Sequence, residues 1–367
     1  MMTSKERLLS GIKGEETDRV PWSPFLAYFW ESLPESVRNK GMLEFYKAIG
    51  ADPLFRGFCT LLKVEYKNVE KKESVRGDQK QVVLETPVGD LVLLYTYAHE
   101  SRTWFLTGHP VKEAEDYKKL IYLNENMVME PDFSKYRAGL DYVGEEALLI
   151  PIISPEMKSS FQALVEKWVG TVNLSYHLYD HPEIVRECLQ AMKRNSIKAA
   201  EMSCECGAEA YIFWEDSSTT NVSPSQFREH VADEIREWAD ILHRRGKYLV
   251  HHACGLIRDL IVPMCETGID VIESVCPPPT GNITTGEARR MIPGNVGLIG
   301  GIDPTVLLDS PMEELLDYVS DVIEKTGKRG FILGNADSCP PGVDMEKFRR
   351  ISSLVKNERN GSCWNFK

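Results

Sequence analysis

The chain has 367 residues, of which 43% are hydrophobic, and it carries a formal net charge of −12 at pH 7. This length can hold two average domains or one large α/β barrel. The negative charge and the lack of basic clusters argue against the phosphate-binding surface of a nucleic-acid-binding protein. No apolar stretch approaches the roughly 20 residues of a membrane span. We therefore expect neither nucleic acid nor a membrane among the partners.

The first residues predict a capped amphipathic helix. Thr3 and Glu6 are spaced as a capping box, and Leu8, Leu9 and Ile12 share one face. This segment lacks the apolar core of a signal peptide. Nine cysteines, an odd number in a long chain, favour reduced thiols over a disulfide scaffold. We expect a cytoplasmic protein.

Two β-rich runs follow, residues 20–25 and the neighbourhood of 48–55, and then the pattern changes. Residues 64–111 are rich in β-formers, and a turn at 86–90 separates the runs 81–85 and 91–97. This stretch predicts a β-hairpin region inserted as a lid or rim. Residues 112–146 resemble a helix and an irregular linker.

From about residue 147, short β-rich runs alternate with helical patterns, which indicates βαβ units and a parallel sheet. Together with the two earlier runs they number eight, and no G-x-G-x-x-G follows any of them. We therefore predict a single (β/α)8 TIM barrel domain over residues 1–367, with an insertion at about 64–111. The six later runs are residues 147–153, 210–214, 247–250, 269–272, 296–299 and 330–333.

A candidate zinc site follows two of these strands. His252 and Cys254 form an H-x-C step, and side chains two apart in an extended chain share a face. Cys339, in a Pro/Gly-rich loop after the last strand, supplies a third ligand and leaves one position open, as in catalytic zinc. Active sites of barrels lie at these strand ends. The alternative is that the cysteines pack as small apolar side chains.

Acidic side chains follow the same strand ends. Glu215 and Asp216 follow strand 210–214, and Glu215 is either a displaceable fourth ligand or a solvated or helix-capping carboxylate. Glu273 suits a substrate contact or a salt bridge at the rim. Asp337 precedes Cys339. We predict Glu215, Asp216 and Asp337 as the candidate proton donors and acceptors.

Two further groups are candidates for ligand contacts. Gly300 and Gly301 allow close approach of a ligand to the backbone, and with Asp303 they form the candidate cofactor contacts. Asp303 precedes a proline, which is also the pattern of a helix N-cap. The aromatic side chains Tyr28, Trp30 and Trp214 are either packing residues or, with Glu273, a platform for substrate.

Several motifs occur along nearly the whole chain: Glu6-Arg7, Asp18-Arg19-Val20-Pro21, Thr86-Pro87-Val88-Gly89-Asp90, Asp180-His181-Pro182-Glu183, His252-Ala253-Cys254-Gly255, Gly300-Gly301-Ile302-Asp303 and the loop 334–342. With these motifs the chain resembles the uroporphyrinogen decarboxylase superfamily, for which a (β/α)8 barrel is expected. The decarboxylases carry an arginine-rich stretch, MRQAGR, after the first strand, whereas residues 22–30 here read WSPFLAYFW. The H-x-C motif with a distant cysteine instead matches the cobalamin-dependent methyltransferase branch.

The resemblance implies a methyltransferase of one-carbon metabolism with zinc on His252, Cys254 and Cys339. Its methyl group would move between a small methylated substrate, such as an aryl methyl ether, and the cobalt of a corrinoid (cobalamin) carried by a partner protein. The aromatic residues favour O-demethylation as the direction. Homodimer formation is left open.

Three alternatives remain at this point. The first is a methylcorrinoid-to-thiol enzyme of the coenzyme M type, or a folate methyltransferase. The second is a divergent decarboxylase-like lyase, which needs arginines such as Arg56 and Arg102 at the barrel mouth. The third is a non-catalytic metal or corrinoid carrier with four closed zinc ligands.

Overall fold

Eight parallel strand segments form the centre of the fold in the computed structural model, which describes residues 2–357. Each lies within or beside a run predicted as a strand, so the predicted strand order is confirmed. Residue 1 and residues 358–367 lie outside the described residues. In chain order, and numbered first to eighth below, the segments are the one around Trp22, then Leu54–Arg56, Leu148–Ile150, Ala210–Trp214, Tyr248–His252, Val271–Val275, Gly297–Ile302 and Phe331–Asn335.

The fourth to eighth strands form one continuous parallel sheet. The third strand joins its edge through a parallel bridge between Ile152 and Ile212, and it pairs in parallel with the second strand. Such strands are covered on both faces, which explains why their sequences are apolar throughout.

The segment around Trp22 lies between the eighth and the second strands. Trp22 forms a parallel bridge to Leu333 of the eighth strand. On its other side, its carbonyl oxygen accepts a hydrogen bond from the Asp52 amide, two residues before the second strand, at 2.7 Å. The predicted (β/α)8 barrel is therefore the observed architecture.

Helices surround this ring, and none within residues 2–357 has both the length and the apolar character required to cross a membrane. Two π-helical segments, Leu164–Trp168 and Phe227–Val231, continue directly from α-helices, and Cys204–Cys206 is a 3-10 turn. The α-helices are Ser4–Ile12, Ala27–Ser32, Glu35–Arg38, Met42–Ile49, Asp116–Glu125, Ser134–Val143, Ser160–Ala163, Thr171–Asp180, Pro182–Ser203, Pro224–Gln226, Ala232–His243, Ile261–Cys265, Thr285–Met291, Pro304–Asp309, Met312–Thr326 and Met345–Asn357.

The predicted N-terminal helix, Ser4–Ile12, plugs the end of the barrel at which the strands begin. Both hydrogen bonds of the Thr3–Glu6 capping box are present. Leu8 and Ile12 pack into the barrel interior, where they are buried. The inward side chains around them form an apolar lower layer that consists of Leu54, Leu148, Ile150, Ile152, Ala210, Ile212, Val250, Val271, Ile299 and Ile332.

The inserted region is a four-stranded antiparallel sheet, built from Glu70–Arg76, Gln79–Glu85, Leu91–Ala98 and Thr103–Gly108. Its central hairpin lies where the sequence predicts one. At one of its turns Arg102 donates to the Glu31 carbonyl at 3.1 Å, so this turn touches the helix Ala27–Ser32.

The stretch after this sheet differs from the prediction of helix and irregular linker. Met127–Pro131 is a strand, and it pairs antiparallel with Leu62–Tyr66. The segment has only five residues and ends in proline, and it pairs with a strand more than 60 positions earlier. Local sequence patterns carry little information about such a pairing.

A buried charge cluster ties the N-terminal helix to the barrel. The Asp52 carboxylate is fully buried and accepts hydrogen bonds from Arg7 at 2.7 Å and from Arg19 at 2.8 Å. Arg7 also donates to Asp18 at 2.6 Å. This hydrogen bond with Arg7 lowers the pKa of Asp18 to about 2. The ionised form of Asp18 is therefore stabilised only in the folded protein.

We predict that Asp18→Asn lowers the free energy of unfolding by about 1 kcal/mol at pH 7. Because the folded pKa of Asp18 lies below its usual value of 3.8, this contribution is complete above pH 4. It disappears as the pH falls from 4 to 2. Urea unfolding at several pH values measures it, with Asp141→Asn in an exposed helical position as the control. A difference that stays constant down to pH 3 contradicts the assignment.

Candidate metal centre

The upper layer of the barrel interior, at the ends of the strands, is polar. Trp214, His252 and Glu273 occupy matching register positions on the fourth, fifth and sixth strands. Each lies two residues after an inward apolar side chain, so each also points inward. Arg56 lies in the same way at the end of the second strand. The side chains of Arg56, His252 and Glu273 are all buried.

An ion-paired chain holds the His252 imidazole from behind. Arg56 Nε lies 3.2 Å from Glu273 Oε1, and Glu273 Oε2 is hydrogen-bonded with His252 Nδ1. Arg56 also donates to the Ser23 carbonyl at 2.9 Å, and its guanidinium lies over the Phe25 ring. A carboxylate behind Nδ1 fixes the ring and leaves Nε2 as the ligand atom, as in many zinc sites.

Two further donor atoms lie on the Nε2 side of the imidazole. Asp216 Oδ1 is 3.2 Å from His252 Nε2 and 3.5 Å from Cys254 Sγ. The ligand atoms of Asp216, His252 and Cys254 all lie within 4.8 Å of one another. Nitrogen, sulfur and carboxylate oxygen are the donor atoms that zinc binds in proteins. This cluster therefore fits a zinc ion.

The local charges favour a cation at this position. Burial alone would lower the pKa of His252, but the charge of Glu273 and the hydrogen bond with Asp216 hold it well above its usual value. Burial opposes ionisation of Asp216, yet the hydrogen bond and charge of His252 lower its pKa to about 2. Burial raises the pKa of the Cys254 thiol. The carboxylates that favour a proton on the imidazole also attract a metal ion.

Cys339 lies on a loop that is fastened to the first-strand segment. Its amide donates to the Phe25 carbonyl at 2.8 Å, and its own carbonyl accepts from Phe29 at 2.9 Å. The thiol is buried, with Sγ 3.8 Å from the Pro340 carbonyl oxygen, and burial raises its pKa. Among the described residues it is outside the group of donors that lie within 4.8 Å of one another. Its role as a zinc ligand stays a prediction.

Asp337, on the same loop, is close enough to the centre to respond to its charges. Burial raises its pKa, the charge of His252 lowers it, and the charges of Asp216 and Glu273 raise it. The loop after the eighth strand therefore faces the cluster.

The structure separates the two acidic residues after the fourth strand. Glu215 points away from the cluster, and its carboxylate accepts hydrogen bonds from the Ser159 amide at 2.7 Å and the Ser159 hydroxyl at 2.5 Å. Burial raises its pKa to about 8. This geometry corresponds to the helix-capping alternative, because Ser159 begins the helix Ser160–Ala163. Successive strand residues face opposite sides, so an inward Trp214 directs Glu215 outward.

The three residues predicted as cofactor contacts, Gly300, Gly301 and Asp303, have structural roles. Asp303 caps the helix Pro304–Asp309, with Oδ1 accepting from the Thr305 amide at 2.7 Å. Gly300 and Gly301 have φ values of +133° and +102°. A Cβ on Gly301 would lie 2.7 Å from the Val322 side chain. Backbone conformation and close packing account for these glycines.

The predicted aromatic platform is only partly assembled at the cluster. Trp214 lies edge-on to His252, with ring centroids 4.8 Å apart, and stacks on Phe25 at 5.6 Å and 10°. Gly57 makes room for this indole, since a Cβ there would lie 2.4 Å from the Trp214 ring.

The two predicted platform residues of the helix Ala27–Ser32, Tyr28 and Trp30, differ in their surroundings. The pKa of Tyr28 is raised by burial and then by the negative charges of Asp337, Asp216 and Cys254, which places Tyr28 near the cluster. Trp30 instead packs edge-on against Phe45 in the helical layer, at 5.8 Å. Tyr28 and Trp214 therefore remain candidates for substrate contacts, and Trp30 belongs to the packing.

Sequence reasoning missed Lys158 at this site. Its Nζ lies 3.3 Å from Asp216 Oδ2 and also contacts the Glu166 carboxylate. It follows the end of the third strand, so the rule that selected the other candidates applies to it as well. The same rule applies to Phe25, which follows Trp22 of the first strand segment and was also missed.

The profile of the family described as uroporphyrinogen decarboxylase (URO-D) matches residues 164–358, more than half of the chain. The chain belongs to the uroporphyrinogen decarboxylase family. The matched part includes the fourth to eighth strands and therefore His252, Cys254 and Cys339.

Individual relatives are distant. The chloroplastic uroporphyrinogen decarboxylase of Nicotiana tabacum is 25% identical over 183 residues, which are 49% of this chain and 45% of that protein. The uroporphyrinogen decarboxylase of Arthrobacter sp. is 29% identical over 153 residues, 41% of this chain and 42% of that protein. The matches to these two proteins thus span less than half of their length.

One solved structure is similar over almost the whole chain. A methyltransferase from Methanosarcina mazei matches 98% of this chain and 99% of that chain, with a TM-score of 0.66 and 15% identity. At this identity the match shows a shared fold. It extends the likeness to the N-terminal half, which the family profile does not reach.

We predict that Glu273→Gln lowers the affinity for Zn²⁺ by about 10- to 100-fold. The substitution removes the negatively charged carboxylate group that orients the His252 imidazole. Competition with a chromophoric chelator measures the affinity. Glu266→Gln, at an exposed position, is the matched control and should leave it unchanged. Equal affinities for Glu273→Gln and the unsubstituted protein would remove Glu273 from the metal centre.

Proposed function

We propose that this protein is a zinc-dependent methyltransferase that moves a methyl group between a small methylated compound and the cobalt of a corrinoid protein. The observation that carries the proposal is the cluster of Asp216, His252 and Cys254 at the barrel mouth, with Glu273 behind the imidazole. The whole-chain likeness to a methyltransferase structure supports it.

His252 and Cys254 would hold the zinc, and Cys339 would join them from the neighbouring loop. When bound, a zinc with thiolate and imidazole ligands and an open position acts as a Lewis acid that stabilises negative charge on a substrate heteroatom. Trp214 and Phe25, which stack beside His252, would orient the substrate next to this position.

The favoured direction is demethylation. The bond between the methyl carbon and the substrate oxygen breaks, and both of its electrons stay on the oxygen. The methyl carbon bonds to the cobalt of cob(I)alamin, which supplies the electron pair. The oxygen finally takes a proton, and Asp337 and Asp216 are the carboxyl groups placed to exchange it. Glu215 has no part in this step because its carboxylate is bound to Ser159.

The aromatic side chains suggest the substrate class. Trp214 and Phe25 stack beside His252, and Tyr28 lies near the same cluster. A flat aryl methyl ether suits these surfaces, with its ring against the aromatic side chains and its oxygen towards the metal position. The corrinoid comes from a partner protein that docks over the mouth, where the turn at Arg102 forms part of the rim.

Decarboxylation, the activity in the names of the distant relatives, is less well supported by this site. It needs cationic side chains free to bind substrate carboxylates. Arg56 is paired with Glu273, and Arg102 donates to the Glu31 carbonyl. Both guanidinium groups thus already have contacts within the protein. Transfer of a methyl group from methylcorrinoid to a thiol uses the same metal position and remains the second candidate.

We predict about one zinc per chain, and loss of most of it in Cys254→Ser and in Cys339→Ser. Both variants should stay folded, since a barrel of this size has its own apolar core. Elemental analysis gives the zinc content, and circular dichroism checks the fold. Cys265→Ser, on the helix Ile261–Cys265, is the control and should retain the metal. Full zinc occupancy in Cys339→Ser would show that this residue is not a ligand.

We predict that the protein converts cob(I)alamin to methylcob(III)alamin when an aryl methyl ether is supplied. The visible absorption spectrum follows this conversion directly. Cys254→Ser should slow it by about two orders of magnitude, which corresponds to about 2.7 kcal/mol of lost transition-state stabilisation. The proposal fails when no O-, N- or S-methyl donor reacts and methylcobalamin also loses no methyl group to thiols or folates.

A further inference from the structure

We propose that Asp216 is an internal ligand of the metal centre which substrate displaces, and that Lys158 is a positioning residue that holds the displaced carboxylate. This inference rests on the proposed function for the metal at His252 and Cys254. It adds that Asp216 occupies the open position of the metal until substrate replaces it. Neither role follows from the sequence motifs.

The two oxygens of Asp216 face different partners. Oδ1 lies 3.2 Å from His252 Nε2 and 3.5 Å from Cys254 Sγ, among the donors that would bind the metal. Oδ2 lies 3.3 Å from Lys158 Nζ. One carboxylate is therefore shared between the metal position and a fixed cation. A small rotation of the side chain exchanges one partner for the other.

Lys158 is held in place from its other side. Its side chain is 11% exposed and contacts the Glu166 carboxylate, which accepts a hydrogen bond from Gln162 at 2.6 Å. An ion pair that is shielded in this way is screened much less than a surface pair. The Glu166 contact holds Lys158 on the side of Asp216 away from the metal position, so Lys158 offers an alternative partner there.

The backbone at Asp216 is also fixed. The Glu215 and Asp216 amides both lie 3.2 Å from the His252 carbonyl oxygen, which ties this segment to the strand that carries the imidazole. Asp216 has φ +48°, a left-handed conformation that non-glycine residues seldom adopt. Such conformations are concentrated at functional sites. Exchange of partners therefore involves the side chain and leaves the loop in place.

The chemical consequence concerns substrate affinity. The Asp216 side chain is 34% exposed, so its carboxylate is only partly shielded from water once it leaves the metal. In this partly shielded position a nearby cation still stabilises it. Lys158 provides this cation and so lowers the free energy needed to open the metal position. Without Lys158, Asp216 should remain on the metal and compete with an incoming ligand.

The test uses the Co²⁺-substituted protein, whose visible d–d absorption reports the ligands, and imidazole as a neutral probe of the open position. Asp216→Asn should raise the affinity for imidazole by about tenfold, and Lys158→Met should lower it by about tenfold. Lys158→Arg should restore it to within about threefold of the unsubstituted protein. Lys167→Met, which removes a lysine paired with Glu156, is the control and should have no effect.

The double variant distinguishes a direct role from a structural one. When Lys158 acts through Asp216, Lys158→Met has no further effect in the Asp216→Asn background. Equal effects of Lys158→Met with and without Asp216 overturn the inference, as does an unchanged affinity in Asp216→Asn. Thermal melts establish that each variant is folded.

The outcomes also separate this inference from the proposed function. A protein that binds no Co²⁺ has no metal centre of this kind, and both proposals fall. Stoichiometric Co²⁺ binding with additive effects of the two substitutions overturns only the ligand exchange. The expected pattern in a protein that demethylates no donor, and that transfers no methyl group from methylcobalamin to thiols or folates, supports the ligand exchange and overturns methyl transfer.

Discussion

The buried ion pair between Arg56 and Glu273 is the interaction on which the site depends. The Glu273 carboxylate is completely buried, and a charge in that position is highly unfavourable without a cation beside it. Arg56 Nε lies 3.2 Å from Glu273 Oε1 and supplies this cation, while Glu273 Oε2 is hydrogen-bonded with His252 Nδ1 and fixes the imidazole. Arg56 also donates to the Ser23 carbonyl beside the first-strand segment, so this side chain couples the fold to the chemistry.

Two charge clusters lie at opposite ends of one apolar layer. At the beginning of the strands, Asp52 joins Arg7 and Arg19 and fastens the N-terminal helix that plugs the barrel. At the ends of the strands, the second cluster orients His252. The apolar side chains between them supply the packing that lets a polar upper layer exist. This arrangement follows the general division of barrels into a stabilising face and a functional face.

The sequence was sufficient to predict the strand order and the face that carries the site. Parallel strands covered on both sides are continuous apolar runs, and H-x-C at a strand end necessarily presents both side chains to one face. The choice between Glu215 and Asp216 depended on which residues of the fourth strand point inward. That strand is apolar on both sides, so its composition does not reveal this.

Contacts between distant segments were beyond the sequence patterns. Lys158 and Asp216 lie 58 positions apart, and their pairing depends on the path of the loop after the third strand. Arg56 and Glu273 lie on the second and the sixth strands, so their ion pair forms only when these strands assemble. The strand Met127–Pro131 is likewise defined by its partner, Leu62–Tyr66.

The central claim concerns the atoms around the metal, and X-ray absorption at the zinc edge measures them most directly. The account predicts two sulfur neighbours at about 2.3 Å, from Cys254 and Cys339, with nitrogen and oxygen neighbours at about 2.0 Å, from His252 and Asp216. A protein loaded with zinc that shows no sulfur neighbour, or only one, would contradict it.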